Sequence, residues 1–188
     1  MDGKEALEII ARQRTDQVVV TTMSTTREWP TVSRREELDL PLIGCMGKAS
    51  SLGLGIALGA PDRQVLVLDG EGSLLMNLGA LVTIAAQAPP NLVHFVFDNS
   101  AYDTSGGQPT PGAGTVDFAG LALEAGYRAA YEFEEAEQLR RELPGILKDD
   151  GPVLVSLRVP KGWAQAPFPS RQTAQAMKEL AAALGNKG

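Results

Sequence analysis

The sequence predicts an α/β fold, a doubly wound parallel sheet with helices on both faces. Three observations lead there. Short apolar runs at residues 17–22, 40–43, 64–68, 92–97, 128–133 and 152–159 alternate with stretches of helical character. The strand at 64–68 is apolar from Val65 to Leu68, as strands covered on two sides must be. Two of the runs, 65–68 and 92–97, end in short polar turns with a helical stretch between them. The 188 residues suffice for one domain, 1–188, with a substantial core, and neither an internal repeat nor a low-complexity linker divides them.

The elements follow in order. Residues 4–14 read as a helix with Leu7, Ile10 and Ala11 on one face. Residues 17–22 form a strand, and Ser24-Thr25-Thr26-Arg27 is a polar turn at its carboxyl end. Ser33 and Glu36 have the spacing of a capping box that opens a short helix. After the strand at 40–43, residues 46–58 are a buried helix rich in small residues. Gly53-x-Gly55 lies inside that helix rather than in a strand-to-helix turn, so close packing on the sheet is favoured over dinucleotide binding. Residues 73–88 are helical with a break near Gly79, and Pro89-Pro90 stops them. Residues 99–115 are a long loop, glycine- and proline-rich from Gly106 onward, of the kind that serves as a lid or binding segment. Helices at 117–125, closed by Gly126, and 134–147 flank the strand at 128–133. A proline-broken loop at 161–169 precedes a last helix, capped by Ser170, with Thr173, Met177, Leu180 and Leu184 on one face.

Bulk properties exclude several classes. A formal charge of −6 argues against nonspecific nucleic-acid binding. No apolar run approaches the roughly 20 residues of a membrane span, and the charged N-terminal stretch lacks the apolar core of a signal peptide. The lone Cys45 allows no internal disulfide, which makes the cytoplasm the expected location.

Chemistry concentrates in the two polar turns. The first is Val65-Leu-Val-Leu-Asp-Gly70-Glu71-Gly72-Ser73; the second follows the strand in Phe97-Asp98-Asn99-Ser-Ala101-Tyr102. Parallel sheets bind ligands at the carboxyl ends of their strands, so the turns can face one ligand. A carboxylate and a carboxamide 28 positions apart, Glu71 and Asn99, suit an oxygen-seeking divalent cation. Gly70 and Gly72 let backbone approach a phosphate, and Gly72 and Ser73 start a helix whose free amides point at an anion.

This run resembles the thiamine diphosphate (ThDP) motif, which opens with Gly-Asp-Gly and closes about thirty residues later with an asparagine pair. Here the match is Gly70-Glu71-Gly72 and Asp98-Asn99, with Glu71 replacing the aspartate and Asp98 the first asparagine. The stretches 44–51, 70–79 and 98–110 resemble the ThDP-dependent sulfopyruvate and phosphonopyruvate decarboxylases. The resemblance implies Mg²⁺ held by the Glu71 carboxylate, the Asn99 side-chain oxygen and the Ala101 backbone oxygen. It implies a cofactor site of Ser24, Thr25, Gly44, Met46, Gly70, Gly72, Ser73, Asn99, Ala101 and Tyr102. Met46 would wedge the bent cofactor, the one catalytic role assigned here, and the Gly44 carbonyl would accept from its amine.

Other residues have two readings. Ser24 and Thr25 reach a phosphate or serve simple turn chemistry, and Met46 is a wedge or core filler. Lys48 is a solvated surface lysine or, with Gln108, contacts an anionic substrate. His94, mid-strand, reads as a core or interface histidine. A single cysteine cannot ligate the iron–sulfur cluster common in ferredoxin-dependent relatives.

ThDP enzymes activate the aminopyrimidine with a glutamate on a separate pyrimidine domain, for which this chain has no room. The resemblance therefore implies an alpha subunit that supplies it, in a hetero-oligomer of at least two alpha and two beta chains. The implied activity is decarboxylation of an anionic 2-oxoacid, sulfopyruvate first and phosphonopyruvate next. A subunit of another 2-oxoacid decarboxylase or of a carboligase and, in another class, a noncatalytic ThDP-binding regulatory protein are the alternatives.

Overall fold

The computed structural model describes residues 1–185. Six parallel strands form one sheet in the order β2-β1-β3-β4-β6-β5. They are β1 (Val18–Thr22), β2 (Asp39–Leu42), β3 (Val65–Gly70), β4 (Leu92–Asp98), β5 (Ala129–Phe133) and β6 (Val153–Arg158). Eight α-helices accompany them among the described residues: α1 (Gly3–Gln13), α2 (Ser24–Glu28), α3 (Ala49–Gly59), α4 (Glu71–Leu75), α5 (Ala80–Gln87), α6 (Phe118–Ala125), α7 (Ala136–Ile146) and α8 (Thr173–Gly185).

Side-chain alternation along the strands builds two cores, one on each face. Val19, Leu66, Phe95 and Val155 pack with α1 and α7 on one side. Val20, Val67, Val96 and Leu154 pack with α3, α5, α6 and α8 on the other. The expected doubly wound sheet is therefore the architecture found. Strand β5 is the exception to full burial, being an edge strand that is largely part-exposed.

Two details bear out the packing expectations. An ideal Cβ on Gly53 would lie 2.2 Å from Val67 Cγ2, so α3 approaches β3 as closely as glycine permits. His94 is fully buried, with Nε2 3.4 Å from Asp69 Oδ2 and Nδ1 3.4 Å from the Tyr127 hydroxyl.

Several local expectations give way to tertiary structure. The turn expected at residues 24–27 is the helix α2, entered through Met23 at φ 54°. Thr25 stabilises that helix by donating its hydroxyl toward Thr22 O at 2.9 Å and Leu68 O at 2.6 Å, and no local pattern displays the second contact, 43 positions away. Ser33 caps no helix; its hydroxyl donates to Asp39 at 2.5 Å and accepts from Arg14, and only a 3-10 turn forms at Glu36–Leu38. The helix expected from Met46 starts at Ala49, because Gly44 and Gly47 at φ 71° and 74° turn the chain first. The break expected near Gly79 is present, and it divides the stretch 73–88 between α4 and α5. The last helix starts at Thr173, beyond Ser170, and buries Ala176 and Leu180 while Met177 stays exposed.

Between β1 and β3 the winding reverses, since β2 lies on one side of β1 and β3 on the other. Such a switch point leaves a crevice outside the strand ends, where open α/β sheets hold ligands. None of the described helices is long and apolar enough to cross a membrane.

Candidate cofactor and metal site

A cleft opens at the switch point, and nearly all of the expected residues meet there. Ser24 and Thr25 arrive from the end of β1, Met46 from the turn before α3, and Gly70 to Ser73 from the junction of β3 with α4. Asn99, Ala101 and Tyr102 come from the turn after β4. Gly44, Lys48 and Gln108 are exposed and do not line the cleft.

Glycine is required at position 72 by its neighbours. A Cβ there would meet the Tyr102 ring at 2.6 Å and Thr110 Cγ2 at 3.1 Å. At Gly70 the Cβ direction is open, leaving bare backbone on the cleft wall.

The first turn of α4 presents Glu71, which is 3% exposed. Its longer side chain spans the gap between the two turns: Oε1 accepts from the Ala101 amide at 2.9 Å and Oε2 from the Asn99 amide at 3.4 Å. Asn99 Oδ1 accepts from the same Ala101 amide at 3.1 Å. A carboxylate oxygen and an amide oxygen thus meet at the Ala101 amide. Burial, then the nearby Asp98 charge, raises the Glu71 pKa to about 7, against the pull of its backbone amides. Among the described residues no Lys, Arg or His forms an ion pair with Glu71. A buried carboxylate beside a neutral amide oxygen, with no cationic partner, fits a hard divalent cation. There is no cluster of three or more His, Cys, Asp or Glu among the described residues, so a cation here would rely on amide and carbonyl oxygens beside Glu71.

Asp98, the other departure from the motif, has its own partner. Its Oδ2 pairs with Arg158 Nη1 at 2.9 Å, and Oδ1 accepts from the Ser100 amide at 2.9 Å. The β6 arginine neutralises the acid and anchors the turn that carries Asn99.

Hydroxyls on the cleft divide between structure and solvent. Thr25 is committed to the backbone of β1 and β3, which leaves Ser24 as the part-exposed hydroxyl of that pair. Ser73 Oγ accepts from the Gly47 amide at 2.9 Å, and Asn77 Nδ2 donates to the Gly47 carbonyl at 2.9 Å. This clamp fixes the turn that carries Met46, whose half-buried side chain faces the cleft rather than the core.

Sequence reasoning missed Thr22, Phe97, Asp103, Thr104 and Trp163, which also line the cleft. Trp163 stacks on Phe97 with ring centroids 5.4 Å apart. Its loop is tied down by buried Glu28, which accepts from the amides of Gln165 and Ala166 at 2.5 and 2.6 Å. The proline-broken loop at 161–169 was the one available signal, and it did not say where the loop would fold.

Strand order, switch point and paired turns define a ThDP-binding fold of the diphosphate type. Residues 18–157 match the family described as thiamine pyrophosphate enzyme, C-terminal TPP binding domain, and the chain belongs to that family. It is 44% identical over 145 residues to phosphonopyruvate decarboxylase of Streptomyces hygroscopicus, covering 77% of this chain and 35% of that one. It is 44% identical over 126 residues to sulfopyruvate decarboxylase subunit beta of Methanothermobacter thermautotrophicus, covering 67% of this chain and 64% of that one. The chain thus spans about a third of the first relative and somewhat under two thirds of the second. Among solved structures, a ThDP-dependent 4-hydroxybenzoylformate decarboxylase of Rhodococcus jostii superposes with a TM-score of 0.69 at 21% identity, covering 85% of this chain and 33% of that one. That likeness bears on the fold.

Proposed function

We propose that this chain is the diphosphate- and Mg²⁺-binding subunit of a two-subunit, ThDP-dependent 2-oxoacid decarboxylase of the cytoplasm. Sulfopyruvate is the favoured substrate, with sulfoacetaldehyde and CO₂ as products. The observation that carries the reading is the convergence of Glu71 and Asn99 oxygens at the switch point, beside a half-buried Met46.

When bound, ThDP supplies the electron sink that takes up the electron pair left as CO₂ departs from a 2-oxoacid. The protein's part is binding and orientation. Glu71, Asn99 and the Ala101 carbonyl would hold the cation, and Ser24 with the backbone of Gly70 and Gly72 would receive the diphosphate. Met46, on the cleft wall, would support the bound cofactor, and the carbonyl of exposed Gly44, two residues earlier and outside the cleft lining, would accept from its amine. Phe97 and Trp163 shield the deep wall from water. The likeness to a protein named as a beta subunit supports a separate alpha subunit that carries the activating glutamate.

Coexpression of the chain with a pyrimidine-domain subunit, followed by assay of CO₂ release from sulfopyruvate and phosphonopyruvate, tests this. The assembled pair should turn over sulfopyruvate and the chain alone should not. Turnover by the chain alone contradicts the two-subunit reading. Preference for phosphonopyruvate reassigns the substrate, and inactivity of the assembled pair on every 2-oxoacid tried removes the decarboxylase assignment.

A further inference from the structure

An asparagine ligates a hard cation only through its oxygen, and rotation about the last side-chain bond exchanges oxygen for nitrogen. What holds that bond therefore decides whether Asn99 is a ligand at all. In this structure Asn99 is gripped between two groups of opposite kind. On one side the Ala101 amide, which only donates, bonds to Oδ1 at 3.1 Å. On the other, Asp103 Oδ2 accepts from Asn99 Nδ2 at 2.6 Å. An ionised carboxylate only accepts. A reversed amide would set two donors against each other at Ala101 and two acceptors at Asp103.

Asp103 is itself held in place. It opens a one-turn 3-10 segment, Asp103–Ser105, four positions after Asn99. The same oxygen also accepts from the Gly162 amide at 2.5 Å. Lys161 next to it donates to the Gly107 carbonyl, so the two loops are joined on either side of the acid. Asp103 therefore faces Asn99 from a position set by two chain segments.

We propose that Asp103 is a positioning residue that locks the Asn99 amide with its oxygen toward the cation beside Glu71. The inference rests on the metal reading given under Proposed function. Asp103 acts through Asn99 and is not itself a ligand.

The test uses the assembled two-subunit complex with ThDP present and Mn²⁺ as the probe, free Mn²⁺ being followed by paramagnetic resonance. The wild-type complex should bind Mn²⁺ saturably; if it does not, the metal reading itself fails. Asp103→Ala should weaken Mn²⁺ binding by about 10- to 100-fold, the range found when a ligand's orienting partner is removed. Asp103→Asn keeps an acceptor oxygen and should lose little. The decisive arm is Asn99→Asp in the Asp103→Ala background. A carboxylate at position 99 offers oxygen in either orientation, so affinity should largely return. In the wild-type background Asn99→Asp sets two acids together and should bind poorly.

Wild-type affinity in Asp103→Ala overturns the proposal. So does failure of Asn99→Asp to restore it, because a residue that merely supported the loop would not be rescued this way. Should Asp103→Ala fail to assemble, Asp103→Asn combined with Asn99→Asp carries the same test. An amide at 103 donates to the new carboxylate, so the pair must bind Mn²⁺ more tightly than Asn99→Asp alone.

Discussion

Glu71 carries a carboxylate on two backbone amides, 3% exposed, with a folded pKa near 7 caused first by burial and then by Asp98. Its ordinary value is 4.5. A carboxyl whose pKa is raised by folding stabilises the folded state while protonated. That contribution is complete below the unfolded pKa and is lost as pH rises through the folded one, amounting to about 3 kcal/mol. Urea midpoints of the cofactor-free chain should therefore fall as pH rises from about 4.5 to about 8. Glu71→Gln should flatten that decline, and saturating Mg²⁺ with ThDP in the assembled complex should offset it at the alkaline end. Equal pH profiles for wild type and Glu71→Gln would show that the carboxyl is not held as described. At this scale the pairing of Glu71 with Asn99 was legible, because motif spacing is a local property of two turns. The Asp98–Arg158 pair was not, since the partners lie 60 positions apart and meet only because β4 and β6 are neighbours.

At the scale of elements, helix α3 offers an internal control. Gly53 faces β3, where a Cβ would lie 2.2 Å from Val67 Cγ2; Gly55 is exposed, with nothing within 4 Å of its Cβ direction. Alanine gains about 1 kcal/mol over glycine in a helix interior, and overpacking a core costs about 1–3 kcal/mol. Gly55→Ala should accordingly raise the unfolding free energy by close to 1 kcal/mol, with Gly53→Ala neutral or destabilising by up to about 2 kcal/mol. Thermal or urea unfolding of the two variants checks this, and a stabilised Gly53→Ala would mean that α3 stands farther from the sheet. The small-residue run pointed to close packing, but not to which glycine bears it. Helix α2 escapes the sequence for a related reason: it is only five residues long, and Thr25 secures it through the carbonyl of a different strand.

For the molecule as a whole, strand order decides where chemistry resides. The reversal between β1 and β3 brings Ser24, Gly70 to Ser73 and Asn99 to one crevice, and the Glu28 and Asp103 contacts fold the 161–169 loop against it. The cleft wall is proposed to serve the diphosphate end of the cofactor. By itself the sequence determined the alternation of strands and helices, the two-faced burial of the sheet and the Glu71–Asn99 turns. The first two are written in periodicity, and the turns in short motifs at the ends of two apolar strands, each local to its own segment. Only the tertiary structure decided that Arg158 neutralises Asp98, that Thr25 is spent on backbone, that Trp163 closes the cleft and that Asp103 faces Asn99. Most of those contacts join residues far apart in the chain, which meet because strand order and the packing of the two cores bring them together.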